Sequence, residues 1–321
     1  MTIESEQYLH KYRVQMGLPM NFYSGSIQLP TAKSDDKVSA YLDKPKEGVE
    51  LTEHNMSFNI VKTKESPDSS ITFYNLSDTT RLFLEQYQNK NPVLMLEAGY
   101  ESDLQIPLLF QGEVIDVKDV FSGHTRTTQL TLKSGATNMK ESYSVRSYRA
   151  GTSASVIVKD VIRDMRLPEG TMFFGDKSDV VIEKPVVVNG ASIDWLRKFS
   201  KNNSLKFWVE DGVANILPDN YVELPSEFVH GISSDTNMIG SPTVANGDTA
   251  TQERQPANKQ TLSVTTTLNG AYKIGDKVAL TSKFFNGVYV IETITHSGTY
   301  EGSDWQSTLQ IKPVDGWEIR G

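Results

Sequence analysis

The chain has 321 residues, of which 38% are hydrophobic, so it can bury a substantial core and divide into two or three domains. It contains no cysteine, which excludes disulfides, thiolate nucleophiles and cysteine-ligated zinc and suits folding in a reducing cytoplasm. A net charge of −8 argues against nucleic acid as a wrapped partner, because phosphate neutralisation needs clustered Lys and Arg. The N-terminus lacks the pattern of a signal peptide, and no run approaches the roughly 20 apolar residues of a membrane helix. The sequence therefore predicts neither secretion nor membrane insertion.

Residues 1–48 show no sustained periodic pattern. Tyr8 and Tyr12 could share one face of a helix, but residues 21–25 have the composition of a turn. We expect residues 1–48 to form an N-terminal arm and lead-in. This arm is either a partly ordered terminus or a strap across a neighbouring subunit.

Residues 49–139 carry the alternation that is typical of strands. Apolar positions alternate on both sides of the turn at residues 66–69, which predicts a β-hairpin. Ser77 or Asp78 is placed to cap a short helix that carries Leu82, Phe83 and Tyr87. Further strands are predicted at 93–97, 106–110, 113–118 and 127–132. Short strands with one inserted helix favour a first small β-barrel domain.

Residues 140–220 predict a compact α/β domain that follows a linker at 140–150. Behind Thr152 and Ser153, five apolar residues fall at i, i+4, i+7, i+8 and i+11, the spacing of one helical face. These residues are Ala154, Val158, Val161, Ile162 and Met165. A second, shorter apolar stripe follows the expected cap Ser192 and consists of Trp195, Leu196 and Phe199.

A hairpin closes this α/β domain. Leu205, Phe207 and Val209 alternate as in a strand, and Asp211 and Gly212 follow. Asp-Gly is favoured in two-residue type I′ turns because both turn residues need positive φ. Residues 213–217 should therefore pair back on residues 205–210.

Residues 221–321 again have the pattern of β structure. Residues 239–242 predict a turn, and the polar, apolar-poor stretch 245–258 predicts a long mobile loop. Strands are predicted at 262–268, 277–282, 288–296 and 307–312, with Gly-containing turns between them. The expected fold is mainly β with α+β character: two small β-barrel domains flank the α/β insert.

Several short motifs resemble the baseplate hub proteins of contractile-tailed bacteriophages, the Mu-like and T4-like hubs of the late-control protein D family. In the first β region they are Ile71-Thr72-Phe73-Tyr74-Asn75-Leu76-Ser77, Leu96-Glu97-Ala98-Gly99-Tyr100 and Phe110-Gln111-Gly112. Further along they are Gly190 with Asp194-Trp195-Leu196, the stretch 208–212, residues 287–290, His296-x-Gly298 and Trp305-x-Ser307. The resemblance covers roughly residues 50 to 316 and rests on their order and spacing. The N-terminal arm and the loop near 247–258 depart from the family pattern.

The resemblance implies a structural role. Such hubs form homotrimers at the centre of the virion baseplate, carry a trimeric spike and start the hexameric tail tube. Two barrels per chain would give six similar units around a three-fold axis. The tape-measure protein is a further expected partner, and DNA would cross the lumen without specific binding. We expect assembly in the host cytoplasm.

The residues themselves predict no catalytic, metal or cofactor site. The five histidines lack the spacing that places two ligands on one helical face. His296 lies in a predicted strand before Gly298, which favours a hydrogen-bonded histidine that fixes a turn over a general base. Glu210 and Asp211 could form a glycosidase pair, but adjacent carboxylates on a turn are more often solvated.

Aromatic residues leave two alternative functions open. Trp195, Phe207 and Trp208 could form a sugar-binding platform, although helix and strand spacing favours core positions for Trp195 and Phe207. The alternatives to a hub are a receptor- or carbohydrate-binding tail module and a tail-associated glycan hydrolase.

Overall fold

The computed structural model describes residues 9–17, 49–175, 181–219, 229–245 and 261–314. Strands predominate, so the expected mainly β fold with a small α/β part is confirmed. The helices are α1 (Asp78–Tyr87), α2 (Ala136–Glu141), α3 (Ala154–Asp164) and α4 (Ser192–Asn202). The strands are β1 (His10–Gly17), β2 (Val49–Leu51), β3 (Met56–Thr63), β4 (Ser69–Tyr74), β5 (Val93–Tyr100), β6 (Leu108–Ser122), β7 (Thr125–Lys133), β8 (Tyr143–Tyr148), β9 (Glu169–Met172), β10 (Val186–Ala191), β11 (Leu205–Glu210), β12 (Val213–Pro218), β13 (Val229–Ser233), β14 (Met238–Val244), β15 (Leu262–Thr267), β16 (Lys277–Thr281), β17 (Asn286–Thr299) and β18 (Trp305–Pro313).

One 13-stranded sheet runs through both predicted β regions. Its path is β14-β15-β18-β17-β3-β4-β7-β6-β5-β1-β2, and β16 and β13 branch from β17. The antiparallel pairing of β17 with β3, from Thr293 opposite Thr63 to Thr299 opposite Ser57, joins the C-terminal strands to the N-terminal ones. The two β regions are thus continuous through backbone hydrogen bonds.

The first hydrophobic core lies against β1 and β3 to β7. The alternation of Met56, Phe58 and Ile60 places all three side chains in this core, as the sequence predicts. Trp305 enters it from β18, and its indole N–H donates a 2.9 Å hydrogen bond to the carbonyl of Gly99. The C-terminal strands therefore help to close the N-terminal core.

The second core belongs to the α/β part. The predicted apolar face of α3 is buried there, including Val158, Val161 and Ile162. α4 adds Leu196, and the sheets β10-β8 and β11-β12-β9 pack around the two helices. Burial of these stripes, more than helix propensity, stabilises such short helices.

The third core lies among β13 and β15 to β18. The hairpin 205–218 contributes to it as well as to the second core, because side chains alternate across each strand. Trp208 and Leu217 point into the third core, whereas Val209 and Ile216 point into the second. This hairpin is therefore the element that holds the α/β part against the C-terminal strands.

The N-terminal expectation is wrong for residues 10–17. They form β1, which pairs antiparallel with β5 over its whole length. Tyr12, Val14 and Met16 alternate into the first core, and the Tyr12 hydroxyl donates a 2.6 Å hydrogen bond to the carbonyl of His54. The remainder of the predicted arm, residues 1–8 and 18–48, lies outside the described residues, as does the predicted loop 245–258 beyond Ala245.

Three local predictions also need correction. The predicted linker 140–150 contains the end of α2 and β8, because β8 finds a partner in β10. Ser192 does not cap α4: it is buried, its hydroxyl lies 2.8 Å from that of Ser144, and Ala191 holds the N-cap position. The predicted turn at 239–242 is a register shift within β14, where Gly240 has a φ of 73°.

Other boundaries differ by strand length. The two strands predicted at 106–110 and 113–118 are parts of the single long strand β6. In α1, Ser77 accepts a 3.3 Å hydrogen bond from the Thr80 backbone N–H, which selects it as the cap. Leu82, one of the residues that the predicted helix carries, is exposed, while Leu84 is buried.

Candidate functional site: sheet edges and a buried ionic junction

The turn of the hairpin 205–218 has the predicted geometry. Glu210 pairs with Val213, and the two turn residues Asp211 and Gly212 have φ values of 50° and 78°. A type I′ turn requires positive φ at both positions, so the Asp-Gly prediction is confirmed. The turn aims the Asp211 carboxylate at the first sheet.

Lys62 of β3 receives this turn in a buried ionic junction. Its ammonium lies 2.6 Å from Asp211 Oδ2 and 3.5 Å from Glu210 Oε1, and its side chain is 6% exposed. Burial alone lowers the pKa of Lys62, but the charges and hydrogen bonds of Asp211 and Glu210 outweigh it and raise the net pKa above the ordinary value. Lys62 is therefore charged and neutralised inside the protein.

Backbone and hydroxyl groups complete the junction. The N–H of Gln111 donates a 3.1 Å hydrogen bond to Asp211 Oδ1, and the N–H of Gly212 donates one of 2.7 Å to Ser134 Oγ. The Ser134 hydroxyl in turn donates to the Gln111 carbonyl at 3.1 Å. The turn is thus attached to β3, to β6 and to the segment after β7, which fixes the α/β part against the first sheet.

The expectation of solvated carboxylates at Glu210 and Asp211 is wrong. Burial is the main cause that raises the pKa of Glu210, and its Oε2 accepts a 3.2 Å hydrogen bond from the Trp208 indole. Both carboxylates face Lys62. Their geometry is that of a structural ion cluster, in which removal of one charge leaves the others buried and unpaired.

The aromatic side chains lie mainly in the cores. Trp208 is 2% exposed, so its ring offers no open face for stacking. Trp195 and Phe207 pack against the second core, and Trp195 stacks on Phe199 with ring centroids 5.1 Å apart. Trp195 and Phe207 therefore lie at core positions, as their spacing in the sequence predicts.

His296 has the structural role that the sequence favours. It is fully buried, and its Nδ1 lies 2.8 Å from Ser307 Oγ, which also accepts a 3.0 Å hydrogen bond from the Asn269 N–H in the turn before Gly270. Burial, followed by the charge of Lys62, holds the pKa of His296 well below its ordinary value. Within the described ranges, no three His, Asp or Glu side chains lie close enough together to hold a metal ion.

The sheet leaves one long edge open in the N-terminal half. β5 pairs with β6 only as far as Glu113, so residues 115–122 of β6 pair with β7 alone among the described strands. Near the tip, Val120 is exposed and Phe121 is 69% exposed, with the Arg126 guanidinium 4.6 Å from the Phe121 ring centroid. An unpaired edge with apolar side chains is a template for pairing with another chain.

A second open edge lies in the C-terminal half. Among the described strands, β14 ends the sheet and pairs only with β15, and Ile239 and Val244 on it are exposed. Among the described strands, β2 and β13 are also edge strands, and the β6 and β14 edges belong to different halves of one chain. Such unlike surfaces are suited to head-to-tail contacts that close a ring.

The comparison with protein families decides the kind of protein. A family model described as "Baseplate hub gp41" matches residues 68–305. The chain belongs to this baseplate hub family. It is a structural protein of the bacteriophage tail baseplate, as the resemblance in its motifs predicts. No curated protein sequence matches the chain.

Solved structures of similar fold agree with this family. A tail protein from Neisseria meningitidis MC58 has a TM-score of 0.56 at 12% identity, over 97% of this chain and 98% of that chain. The Escherichia coli c3393 protein, a type VI secretion component described as similar to T4 bacteriophage tail proteins gp27 and gp5, has a TM-score of 0.53 at 13% identity, over 82% and 74%. A Francisella PdpA-VgrG complex contributes a chain with a TM-score of 0.58 at 10% identity, over 98% and 55%. At these identities the structures show a shared fold.

The baseplate hub site is therefore a set of surfaces and a junction, and sequence reasoning missed several of its residues. Lys62 and Ser134 carry no local signal, since their partners are distant in sequence. Gln111 lies in a family motif, but its bond to Asp211 is made by the backbone N–H, which no residue type reveals. No helix in the described part of the chain is long and apolar enough to span a membrane.

Proposed function

We propose that this hub protein forms a trimer that joins a trimeric spike to the hexameric tail tube. In this proposal the two halves of its sheet act as two similar building units per chain, so that three chains present six units around one axis. The observation that carries the proposal is the pair of open edges, β6 in one half and β14 in the other. Contacts between unlike edges generate a closed ring when the rotation between subunits is 120°.

The free edge of β6 is suited to such a contact. Its charges are already matched, since Lys118 and Asp116 lie 3.4 Å apart, and its tip is apolar. Pairing with a neighbouring strand would satisfy the outward backbone groups of residues 115–122 and cover Phe121. Both effects favour association over an isolated chain.

The spike is the expected partner on one side of the ring. Support comes from the fold shared with a chain of the PdpA-VgrG complex and with a protein described as similar to gp27 and gp5. The tail tube and the tape-measure protein are the proposed partners on the other side, and DNA passes through the lumen. The −8 net charge favours passage without binding, because like charges repel phosphates. In this proposal the protein acts without catalysis and assembles in the host cytoplasm.

Light scattering tests the trimer. The mass is measured for the full chain alone and for its mixture with the spike protein. In at least one of these two states, the hub protein should contribute about three times the 35.8 kDa of a single chain. A chain that remains monomeric with the spike present, or that forms a stable dimer, would contradict the proposal.

A matched pair of variants tests the β6 edge. Ser122 and Thr125 close a two-residue turn, so they form a hydrogen-bonded pair, and the adjacent Phe121 directs its backbone N–H away from β7. Phe121→Pro removes this outward donor and the ring, whereas Phe121→Ala removes the ring alone. We expect Phe121→Pro to weaken trimer formation at least tenfold more than Phe121→Ala. Trimers of unchanged strength in both variants would exclude this edge from the interface.

A further inference from the structure

A basic cavity of about 520 Å³ lies beside the ionic junction. It is bounded by α4 and β11 of the α/β part on one side and by the β3–β4 turn of the first sheet on the other. Met139, Ile193 and Phe207 form part of its apolar lining. Concave sites of this size between packed units are where proteins commonly bind ligands.

Among the described residues, four cationic side chains and two carboxylates line this cavity. Arg197 and Lys201 lie one turn apart on α4, and neither has a carboxylate partner in the described ranges. Lys206 has a weakly paired carboxylate partner, Asp219, which lies 3.9 Å from its ammonium. The excess of positive charge is therefore concentrated at the α4 face of the cavity.

Lys64 adds a fourth cation from the β3–β4 turn. Burial is the largest cause that lowers its pKa, and the like charges of Lys312 and Lys206 act in the same direction, against Glu292 and Asp219. No ion pair of Lys64 with a described carboxylate lies within 4.0 Å. An anion in the cavity would restore the favourable environment that this ammonium lacks.

Ser200 is a buried polar residue on the α4 side of the cavity. It lies between Arg197 and Lys201 on the same face of α4 and lines the cavity. Its side chain is 3% exposed, and its hydroxyl has no hydrogen-bond partner in the part of the chain that the structure describes. Buried hydroxyl groups normally have a partner, and this one has almost no surface open to the cavity, so it would reach an acceptor there only after rotation about χ1.

We infer that this cavity binds a carboxylate-bearing peptide segment of a partner protein. Arg197 and Lys201 would hold the carboxylates, Ser200 would donate to one of them after rotation about χ1, and Phe207 with Ile193 would contact an adjacent apolar side chain. A duplex nucleic acid fits less well, because the site is a concave pocket whose apolar floor, with Ile193 and Phe207, has no counterpart on a phosphate backbone. All lining residues belong to one chain, so binding at this cavity does not depend on the proposed trimer.

Isothermal titration calorimetry on the full chain tests this site with a blocked Glu-Glu-Phe-Glu tetrapeptide. The matched probe Gln-Gln-Phe-Gln keeps its size and ring without the charge, and a short oligothymidylate carries phosphates in place of carboxylates. The variants are Arg197→Gln combined with Lys201→Gln, and Ser200→Ala. Lys198→Gln is the control, because it removes a positive charge from α4 at a residue that does not line the cavity. Thermal melting confirms that each variant is folded.

We expect the tetrapeptide to bind at least tenfold more weakly to the Arg197→Gln, Lys201→Gln protein and several-fold more weakly to Ser200→Ala. Binding to Lys198→Gln should stay within twofold of the unmodified protein, and Gln-Gln-Phe-Gln should bind at least tenfold more weakly than the acidic peptide. The inference is overturned by absence of binding at millimolar peptide, by equal binding of the two peptides, or by equal loss in Lys198→Gln. Tighter binding of oligothymidylate would overturn it as well and assign the cavity to nucleic acid instead.

Discussion

Lys62 and Lys64 lie two residues apart at the end of β3, but only the charge of Lys62 is neutralised by carboxylates in contact with it. Lys62 is the more deeply buried of the two, yet Asp211 and Glu210 neutralise it and its pKa lies above the ordinary value. Lys64 is shielded by the cavity wall without a described carboxylate in contact, and its pKa lies below the ordinary value, mainly because of burial. Burial thus has opposite consequences depending on whether the chain itself supplies the counter-charge.

Lys62 is therefore a structural charge, whereas Lys64 is a charge that can bind a ligand. A buried cation with two carboxylates is a closed unit, and breaking it leaves uncompensated charge in the interior. A shielded cation without a partner is disfavoured by burial and keeps its capacity to bind an anion from outside. The ionic junction therefore holds the hub protein together, and the neighbouring cavity is available for a partner.

The largest expected effect on stability is that of removing Lys62, and removing Lys64 is the matched comparison. Lys62→Met should lower the free energy of unfolding by about 3–5 kcal/mol, because Glu210 and Asp211 lose the cation that both of them face. Lys64→Met should change it by no more than about 0.5 kcal/mol or raise it, because a shielded cation disappears. Chemical denaturation followed by tryptophan fluorescence measures both.

A triple variant distinguishes charge from packing in this comparison. Lys62→Met together with Glu210→Gln and Asp211→Asn removes all three charges and nearly keeps the side-chain volumes. It should recover more than half of the stability that Lys62→Met loses, since replacing a whole buried ion cluster is often nearly neutral. Equal destabilisation by Lys62→Met and Lys64→Met would refute the distinction between the two lysines.

A backbone change breaks the same junction by a different route. Gly212 has a φ of 78°, and a Cβ at this position would meet only Gln111 Nε2, at 3.5 Å, so a substitution is opposed by backbone strain and not by a clash. Gly212→Val should lower the free energy of unfolding by about 1–2 kcal/mol. Gly231→Val is the control, because Gly231 lies in β13, needs no positive φ and has nothing within 4 Å of a Cβ. An unchanged melting temperature in Gly212→Val would remove the type I′ assignment.

Local chemistry is what the sequence predicts well. The apolar face of α3 and the Asp211-Gly212 turn follow from residues close together in the chain, and both are observed. The alternation of Tyr12, Val14 and Met16 is also that of a strand, but the weak pattern on both sides of it favours an arm, and this expectation is wrong. A period-2 search over residues 10–17 alone would find β1.

Long-range partners are what the sequence does not predict. Lys62 and Asp211 are separated by 149 positions, so nothing in the local pattern shows that the turn carboxylate will be buried against β3. The open edge of β6 is also a long-range property, because whether a strand has a neighbour on both sides depends on how distant strands pair. The cavity depends on how two units pack, and in sequence its cations have the pattern of ordinary surface charges.

His296 extends the comparison to a buried base that has neither a carboxylate nor a full set of hydrogen bonds. Its Nδ1 contacts Ser307, while its Nε2 has no partner among the described residues, and burial with the charge of Lys62 lowers its pKa well below 6.5. As pH falls through 6.5, the unfolded chain takes up a proton at this histidine and the folded chain does not. Stability is therefore lost toward lower pH, with a slope for this group of at most about 1.4 kcal/mol per pH unit. We expect the free energy of unfolding, measured from pH 7.5 to pH 5, to fall less steeply in His296→Gln than in the unmodified protein. Because the other histidines are common to both proteins, the difference in slope isolates His296, and identical slopes would show that this buried base titrates as it does in water.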